Sequence, residues 1–216
     1  IARGRSVSSE QARHVRVRVP GSGEIVAAPL PTRQDGEVLV RARFSGISRG
    51  TESLVFRGEV PASQHEAMRA PFQEGDFPGP VKYGYASVGE VLEGPDELVG
   101  RDVFCLYPHQ DRYVVPASAV VPLPAGTPAE RAVLAANMET AVNGVWDARP
   151  GPGDRIVVIG GGVVGTLTAW LCAALPGARV TLVDPDSSRS TPAAALGLEH
   201  ASTPPKEADA DLVVHA

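Results

Sequence analysis

The stretch RIVVIGGGVVG, residues 155–165, decides how the C-terminal part of the chain folds. Its first five residues form an unbroken apolar run, which is typical of a strand buried on both faces of a parallel sheet. Gly160, Gly162 and Gly165 then fit the pattern G-x-G-x-x-G, directly after this predicted strand and at the start of a predicted helix. In that context the pattern predicts a turn that holds the pyrophosphate of a dinucleotide.

Each glycine of this turn has a steric reason to lack a side chain. Gly160 makes the tight turn, Gly162 lets the pyrophosphate approach the backbone, and Gly165 lets the helix pack closely on the strand. Val163 and Val164 open the helix, whose free N–H groups and dipole favour an anion. We therefore predict that these five residues bind the cofactor.

Asp184 stands at the end of the next predicted strand, where the dinucleotide pattern calls for an acidic residue. A carboxylate there accepts hydrogen bonds from the ribose hydroxyls and repels a 2′-phosphate, which favours NAD over NADP. Arg189 follows closely, and a guanidinium can bind that phosphate. We predict NAD as the cofactor, with NADP as the alternative. In a non-functional interpretation Asp184 is a turn residue and Arg189 a solvated charge.

The segments that follow the turn predict a β-α-β-α-β unit. We expect a helix at residues 163–175, a strand at 179–183, a short helix at 191–196 and a third strand at 211–215. Three parallel strands alone would leave an unpaired apolar edge, so we expect the sequence as given to be part of a longer polypeptide.

The chain before residue 128 has a different sequence pattern, in which short segments of alternating apolar and polar residues are separated by glycines and prolines. This pattern is typical of half-buried antiparallel strands in a β-barrel-like domain. The predicted strands are residues 14–19, 37–44, 87–92, 102–106 and 112–115. A helix is predicted at 128–145, with Thr127 as its N-cap and Pro128 in its first turn. We therefore place the domains at 1–127 and 128–216.

Composition excludes several classes of partner. The 216 residues include 43% hydrophobic and 21% charged residues, and the net charge is −5. An acidic chain lacks the basic face that nucleic acid or an anionic membrane needs. We find neither an apolar run long enough to span a bilayer nor a secretory signal, and we expect a cytoplasmic protein. Cys105 and Cys172 are expected to be free buried thiols.

Three segments resemble the medium-chain dehydrogenase/reductase superfamily, the relatives of zinc alcohol dehydrogenase. They are residues 37–52 (EVLVRARFSGISRGTE), 81–91 (VKYGYASVGEV) and 111–126 (DRYVVPASAVVPLPAG). The resemblance implies an α/β plus β fold, in which a GroES-like β-barrel catalytic domain precedes a Rossmann doubly wound parallel sheet. It also implies a small-molecule substrate and a homodimer.

The zinc ligands of that superfamily are replaced in this chain. Ser48 stands where the first cysteine ligand is expected, Tyr85 and Ala86 where histidine and glutamate are expected, and Ala136 near the third ligand position. A catalytic zinc needs about three protein ligands. We therefore expect no zinc. The longer stretches at 45–61, 68–91 and 133–146 resemble a zinc-independent subgroup typified by bacteriochlorophyllide-a dehydrogenase, which oxidises a secondary alcohol.

Without zinc, side chains of the protein must handle the proton of the substrate hydroxyl. The resemblance brings two loops to the active site. In the first, Ser48 or Thr51 is expected to bond the substrate oxygen, and Arg49 to meet the pyrophosphate. In the second, Tyr85 is expected to act as acid or base with Lys82, because an ammonium group stabilises a phenolate.

The second loop and the helix after it also supply residues for a pocket. Tyr83 is expected to line the substrate pocket, although Lys82, Tyr83 and Tyr85 can equally be ordinary alternating strand residues. Asn137 and Glu139 on the predicted helix are expected to line the same pocket, and Thr140 to contact the cofactor. His65, His109 and His215 are too scattered in sequence to indicate a metal site.

Three functions remain open on the sequence. The first is an NAD(P)-dependent alcohol dehydrogenase or ketone reductase without zinc. The second is a reductase of an activated double bond, of the quinone or enoyl type. The third is a dinucleotide-binding protein without catalysis, since function is carried by the site rather than by the scaffold.

Overall fold

Two compact units make up the chain, residues 1–135 and 136–216. The computed structural model describes residues 7–204 and 210–216, and the side chains from residue 10 onward within them. The first unit is the N-terminal unit and the second the C-terminal unit. Within the described residues, no helix is long and apolar enough to cross a membrane.

The N-terminal unit consists of two antiparallel sheets. Its strands are β1 (Val7–Val19), β2 (Ser22–Pro31), β3 (Glu37–Ser45), β4 (Glu74–Gly75), β5 (Val81–Lys82), β6 (Ser87–Glu93), β7 (Asp102–Cys105), β8 (Arg112–Pro116) and β9 (Val120–Pro122). One sheet has the order β2-β1-β5-β4 and the other β8-β3-β6-β7-β9. Short 3₁₀ helices lie at Ala62–Gln64 and Ala117–Ala119, and α-helices at α1 (Arg49–Arg57) and α2 (Ala129–Ala132).

Alternating residues of the second sheet form the core of this unit. On β3, Val38 and Val40 are fully buried, and on β8 Tyr113 and Val115 are fully buried. Tyr113 stacks on Tyr107 with ring centroids 3.9 Å apart. Because every second side chain of a strand points to the same face, the alternation read from the sequence predicts this inward set.

The sequence prediction holds for the main strands of this unit and is wrong for one helix. Each of the five predicted strands lies largely within an observed strand, whereas the sequence pattern does not predict β2. The loop expected at residues 48–52 instead belongs to α1, with Ser48 as the N-cap, and α1 ends at Gly58 in the left-handed conformation. The structure thus places the segment after Ser48 on a helix.

The C-terminal unit is a parallel sheet with helices. Its elements are α3 (Ala135–Ala148), β10 (Arg155–Ile159), α4 (Val163–Ala173), β11 (Arg179–Val183), a 3₁₀ turn at Ser187–Arg189, α5 (Ser190–Ala195), β12 (Glu199–Ala201) and β13 (Leu212–His215). The strand order is β12-β11-β10-β13, with all pairs parallel. Ile156, Val158, Leu182, Ala169 and Cys172 are buried in its core.

Two predictions for this half of the chain need correction. The helix expected at 128–145 is interrupted, because the chain turns at Val133 and Leu134, where Leu134 N–H bonds to the carbonyl of Arg131. Pro128 rather than Thr127 is the N-cap of α2. The sheet has four described strands rather than three, since the sequence pattern does not predict the short β12 and β13 is the fourth.

Candidate functional site

The glycine turn connects β10 to α4, and its geometry requires glycine at two positions. Gly160 has a φ of +108°, and its N–H bonds to the carbonyl of Val183 at 2.8 Å. A Cβ on Gly165 would lie 1.9 Å from the carbonyl oxygen of Gly160. These two residues therefore let the helix begin directly against the end of the strand.

Open space lies in front of Gly162, the N-cap of α4. A Cβ built on this residue meets nothing within 4 Å, and its φ of −69° is accessible to any residue. Nothing within the described protein therefore demands glycine here. Val163 is exposed and Val164 is half-buried. Both lie in the first turn of α4, where the backbone N–H groups have no partner within the helix.

The strand order places this turn at a topological switch point. From β10 the chain continues to β11 and β12 on one side and then returns to β13 on the other. Ligands of open parallel sheets bind at the carboxyl ends of the strands where the order reverses in this way. The turn thus has the position of a dinucleotide site as well as its sequence.

Asp184 follows β11 and bonds directly to the glycine turn. Its Oδ2 accepts the N–H of Gly161 at 2.7 Å, and its Oδ1 accepts the N–H of Asp186 at 2.8 Å. The bonds from Asp186 and Gly161 hold the pKa of this carboxyl below its usual value, so it stays charged. Each oxygen keeps a further lone pair with which it can accept a hydroxyl.

Arg189 lies against the same turn. Its Cγ is 3.1 Å from the position that a Cβ on Gly161 would take. Its Nε is 3.3 Å from Oδ2 of Asp186, so the guanidinium is held by an acidic neighbour. Asp184 and Arg189 are therefore brought together beside Gly161, where the sequence predicts that both act.

The three polar residues expected on the predicted helix 128–145 lie on α3. Thr140 Oγ1 donates to the carbonyl of Ala136 at 3.1 Å, within its own helix. Glu139 is exposed and accepts from Asn143 at 2.7 Å, while Asn137 is half-buried. Intrahelical bonds therefore engage two of the three side chains.

A cavity of about 700 Å³ opens in the N-terminal unit. Its wall is mostly apolar, with Val15, Val17, Ile47, Val55 and Phe56. Polar groups on the same wall are Ser45, Glu52, Ser53, Arg57, Tyr83 and His109. Such a cavity has the size and the apolar character of a small-molecule site.

Three polar residues of this cavity form a continuous hydrogen-bond chain. Ser45 Oγ contacts Nδ1 of His109, and Nε2 of His109 lies 2.6 Å from Oε2 of Glu52. The Oε1 atom of Glu52 accepts the N–H of Ser48 at 2.8 Å. The side chains of His109 and Glu52 are only 13% and 12% exposed, so little solvent screens the contact between them.

The sequence alone does not reveal this chain of contacts. His109 is isolated from the other histidines along the chain, and its partners Ser45 and Glu52 lie 64 and 57 positions away. They meet because Ser45 ends β3, Glu52 lies on α1, and the loop after β7 carries His109 to them. Gly84 leaves room for the ring, since a Cβ there would lie 2.9 Å from Cδ2 of His109.

Tyr83 and Tyr85 lie on the same side of their segment, in edge contact with ring centroids 6.1 Å apart. Tyr83 donates to the carbonyl of Met68 at 2.8 Å and lines the cavity of the N-terminal unit. Burial, with smaller effects of Tyr85 and Glu52, raises the pKa of Tyr83 to about 12. Tyr83 is therefore a neutral phenol that can donate but not act as a base.

Lys82 points away from these phenols, because neighbouring residues of an extended chain face opposite sides. It is 4% exposed, and its Nζ lies 2.5 Å from Oε1 of Glu74 and 3.5 Å from the hydroxyl of Tyr107. The expected partnership of Lys82 with Tyr85 is therefore wrong. Lys82 neutralises Glu74 instead.

The other residues that we expect in the active site from the first loop lie at the start of α1. Ser48 is the N-cap, and its hydroxyl makes no capping bond. Arg49 is exposed and Thr51 half-buried in the first turn. The wall of the cavity includes Ile47 and Glu52 from this segment but not Ser48 or Thr51.

The residues present do not fit a catalytic zinc. Among the described residues, no group of three or more His, Cys, Asp or Glu side chains is placed to hold a metal ion. His109 and Glu52 are in contact, yet both ring nitrogens of His109 already face protein groups. Ser48, Tyr85 and Ala86 supply no thiolate, imidazole or carboxylate in their place.

The segment that contains the glycine turn matches a known protein family. The sequence model of a family described as FAD dependent oxidoreductase matches residues 155–216. This match spans the turn, β10 to β13 and the helices between them. Flavin and nicotinamide dinucleotides both use such a turn, so the match does not choose between them.

Two relatives match more of the chain. The D-guloside 3-dehydrogenase of Escherichia coli K12 is 27% identical over 170 residues, which cover 71% of this chain and 48% of that protein. An uncharacterized zinc-type alcohol dehydrogenase-like protein of Haemophilus influenzae is 26% identical over 93% of this chain and 64% of its own length. The chain thus spans about half of the first relative and less than two thirds of the second.

The chain is similar in fold to several solved structures. A short chain alcohol dehydrogenase of E. coli CFT073, complexed with NADH, has a TM-score of 0.71 and 19% identity, covering 90% of this chain and 64% of that chain. The chain shares the fold of that structure over the residues covered. The quinone oxidoreductase of Thermus thermophilus, also solved with NADPH, has a TM-score of 0.64 and 24% identity, covering 94% and 59%. Neighbours with this fold thus bind either nicotinamide dinucleotide.

Proposed function

We propose that this protein is an NAD(P)-dependent oxidoreductase of the medium-chain dehydrogenase/reductase type. Its reaction is hydride transfer between a secondary alcohol or ketone and the dinucleotide. The observation that carries the proposal is the glycine turn at the switch point of a parallel sheet, with charged Asp184 bonded to it. Relatives and solved structures of oxidoreductases support it.

The C-terminal unit supplies the groups that would hold the dinucleotide. The open space before Gly162 suits the pyrophosphate, and the N-terminus of α4 stabilises its charge. Asp184 accepts the ribose hydroxyls and disfavours a 2′-phosphate, whereas Arg189 offers that phosphate a partner. We propose NAD as the preferred cofactor, and Arg49 and Thr140 as further contacts to it. When bound, the nicotinamide accepts or donates a hydride.

The cavity of the N-terminal unit supplies the groups that would hold a substrate. Its apolar wall suits a bulky apolar body, and its polar residues suit one hydroxyl or carbonyl group. Tyr83, which lines the cavity, is proposed to pack against the substrate. Ser48, Thr51 and Tyr85 lie outside this lining, and we propose them as contacts to the substrate oxygen on the resemblance alone. We propose that the reaction needs no zinc, because the residues that replace the ligands cannot bind one. We also propose that the chain groups with the zinc-independent enzymes typified by bacteriochlorophyllide-a dehydrogenase, which oxidises a secondary alcohol.

A second candidate function is the reduction of an activated double bond, as in quinone or enoyl reductases. The similarity to the quinone oxidoreductase of T. thermophilus favours it. This reaction also consumes a hydride and a proton, so the same cavity would serve. The family match on residues 155–216 further requires that FAD be tested beside the nicotinamides.

The proposed function is tested by turnover on two panels. Purified protein is given NAD or NADP with secondary alcohols, and NADH or NADPH with the matching ketones, quinones and enones, while nicotinamide absorbance is followed. Turnover on the alcohol and ketone panel supports the proposal, and turnover confined to quinones or enones supports the second candidate. Dinucleotide binding without turnover on either panel would mean a non-catalytic protein. We expect a homodimer in the cytoplasm, which sedimentation and cell fractionation test.

A further inference from the structure

The hydrogen-bond chain of Ser45, His109 and Glu52 runs along the wall of the cavity, which all three residues line. Ser45 is exposed, whereas about one eighth of each side chain of His109 and Glu52 is exposed. Exposure therefore falls from the hydroxyl to the imidazole and the carboxylate. This order fits a path for a proton.

The partners of His109 fix which nitrogen carries its proton. A carboxylate only accepts hydrogen bonds, so the nitrogen facing Glu52, Nε2, carries the hydrogen. Nδ1 is then the bare nitrogen, and it accepts the hydroxyl of Ser45. The carboxylate is itself held in place by the N–H of Ser48. The ring is thus oriented with its basic nitrogen toward the hydroxyl of Ser45.

We propose that His109 is the proton-transfer residue of the oxidoreductase, with Ser45 as the relay to the substrate and Glu52 as its positioning residue. This inference rests on the function proposed above. In oxidation a nicotinamide dinucleotide, held by the residues named above, would supply the hydride acceptor for the carbinol carbon, and the hydroxyl proton of the carbinol would pass to Ser45 Oγ. The proton of Ser45 moves to Nδ1 of His109, and the substrate becomes a ketone. Reduction runs the same transfers in reverse.

Other titratable groups of the wall are less suited to this role. Among the described residues that line the cavity, Tyr83 is held as a neutral donor to Met68, and Arg57 is paired with Glu59 at 2.7 Å. When His109 is protonated, the Glu52 carboxylate would stabilise the positive charge of the imidazolium, as the carboxylate does in a catalytic triad. The geometry therefore favours His109 as the group that changes protonation.

Kinetics of matched variants test the role. His109→Gln keeps groups that can accept from Ser45 and donate to Glu52 but cannot take up a proton. We expect it to lower kcat by about 10²- to 10⁴-fold on the best substrate of the panels. Its Kd for NADH should not change, and added imidazole should restore part of the rate. Ser45→Ala should lower kcat in the same direction without rescue by imidazole.

The control is His65→Gln, in the same unit. His65 bonds to the carbonyl of Val60 at 3.2 Å and packs edge-on against Phe77, outside the lining of the large cavity. Its kcat should equal that of the wild type. Unchanged kcat in His109→Gln with normal NADH binding overturns the relay alone. No binding and no turnover by the wild type overturns the proposed function and the relay with it.

Nitrogen NMR of the histidines gives a readout that needs no cofactor. The signals of His109 are assigned by their loss in His109→Gln. We expect the tautomer with the proton on Nε2 in the wild type, and loss of its hydrogen-bonded proton signal in Glu52→Gln. A wild-type ring protonated on Nδ1 alone would overturn the relay, because its donor nitrogen would then face Ser45.

Discussion

Replacing Gly165 by alanine tests the packing on which the glycine turn depends. The added Cβ would lie 1.9 Å from the carbonyl oxygen of Gly160, well short of the roughly 3.3 Å at which carbon and oxygen meet. The first turn of α4 must therefore move away from β10 by more than about 1 Å. Such overpacking costs about 1–3 kcal/mol, and alanine recovers up to about 1 kcal/mol of helix propensity. We expect a net loss of about 1–2 kcal/mol.

Urea denaturation followed by circular dichroism measures this loss, and Gly144→Ala is the matched control. Gly144 lies inside α3, where a Cβ meets nothing within 4 Å, so this variant should gain roughly 0.5–1 kcal/mol. The two substitutions therefore have opposite expected signs. A Gly165→Ala protein as stable as Gly144→Ala would refute the packing argument. Gly162→Ala should cost at most about 1 kcal/mol of stability, because alanine is a poorer N-cap than glycine, and should weaken NADH binding, because a ligand requires the space there.

Three further predictions concern single side chains. Asp184→Asn should weaken NADH binding more than NADPH binding, by about 1.5–3 kcal/mol for a lost charged hydrogen bond, and calorimetry of both dinucleotides checks it. Burial, and then the charge of Lys82, lowers the pKa of His14, so the unfolded chain binds the proton more tightly. The stability that His14 contributes is therefore full above about pH 6.5 and falls below it, and the pH slope of urea unfolding should flatten in His14→Gln. Gly84→Ala should displace His109 and lower kcat with little change in the Kd for NADH, since its Cβ would lie 2.9–3.0 Å from that residue.

The C-terminal unit can be predicted closely because its signals are local. A continuous apolar run marks β10, and the glycine pattern marks the turn and the start of α4 within eleven residues. Asp184 is found because the end of the next strand is also easy to recognise. What escapes prediction is β12, whose three residues are too few for a periodic pattern.

The N-terminal unit can be predicted only as a set of antiparallel strands. Its helix α1 escapes prediction because Gly50 and Thr51 lower helix propensity in the first turn. The contact of Ser45, His109 and Glu52 escapes prediction for a different reason. The contact depends on which strands pair and on the path of the loop after β7. The local sequence around each of the three residues predicts neither.

The same limit explains the error at Lys82. Sequence proximity suggests a partnership with Tyr85, but alternation along the extended segment sends the two side chains to opposite sides. Lys82 then finds Glu74 across the strand pair β4 and β5, where Glu74 and Lys82 are register partners. A residue type beside another in sequence therefore indicates chemistry only when the backbone turns both to one side.

Titration of the purified wild-type protein shows whether the glycine turn holds a nicotinamide dinucleotide. NADH, NADPH and FAD are titrated separately, with nicotinamide or flavin fluorescence as the signal. We expect saturable binding of NADH, weaker binding of NADPH and no binding of FAD. Failure to bind either nicotinamide dinucleotide would contradict this expectation, because the glycine turn would then be a structural connection alone.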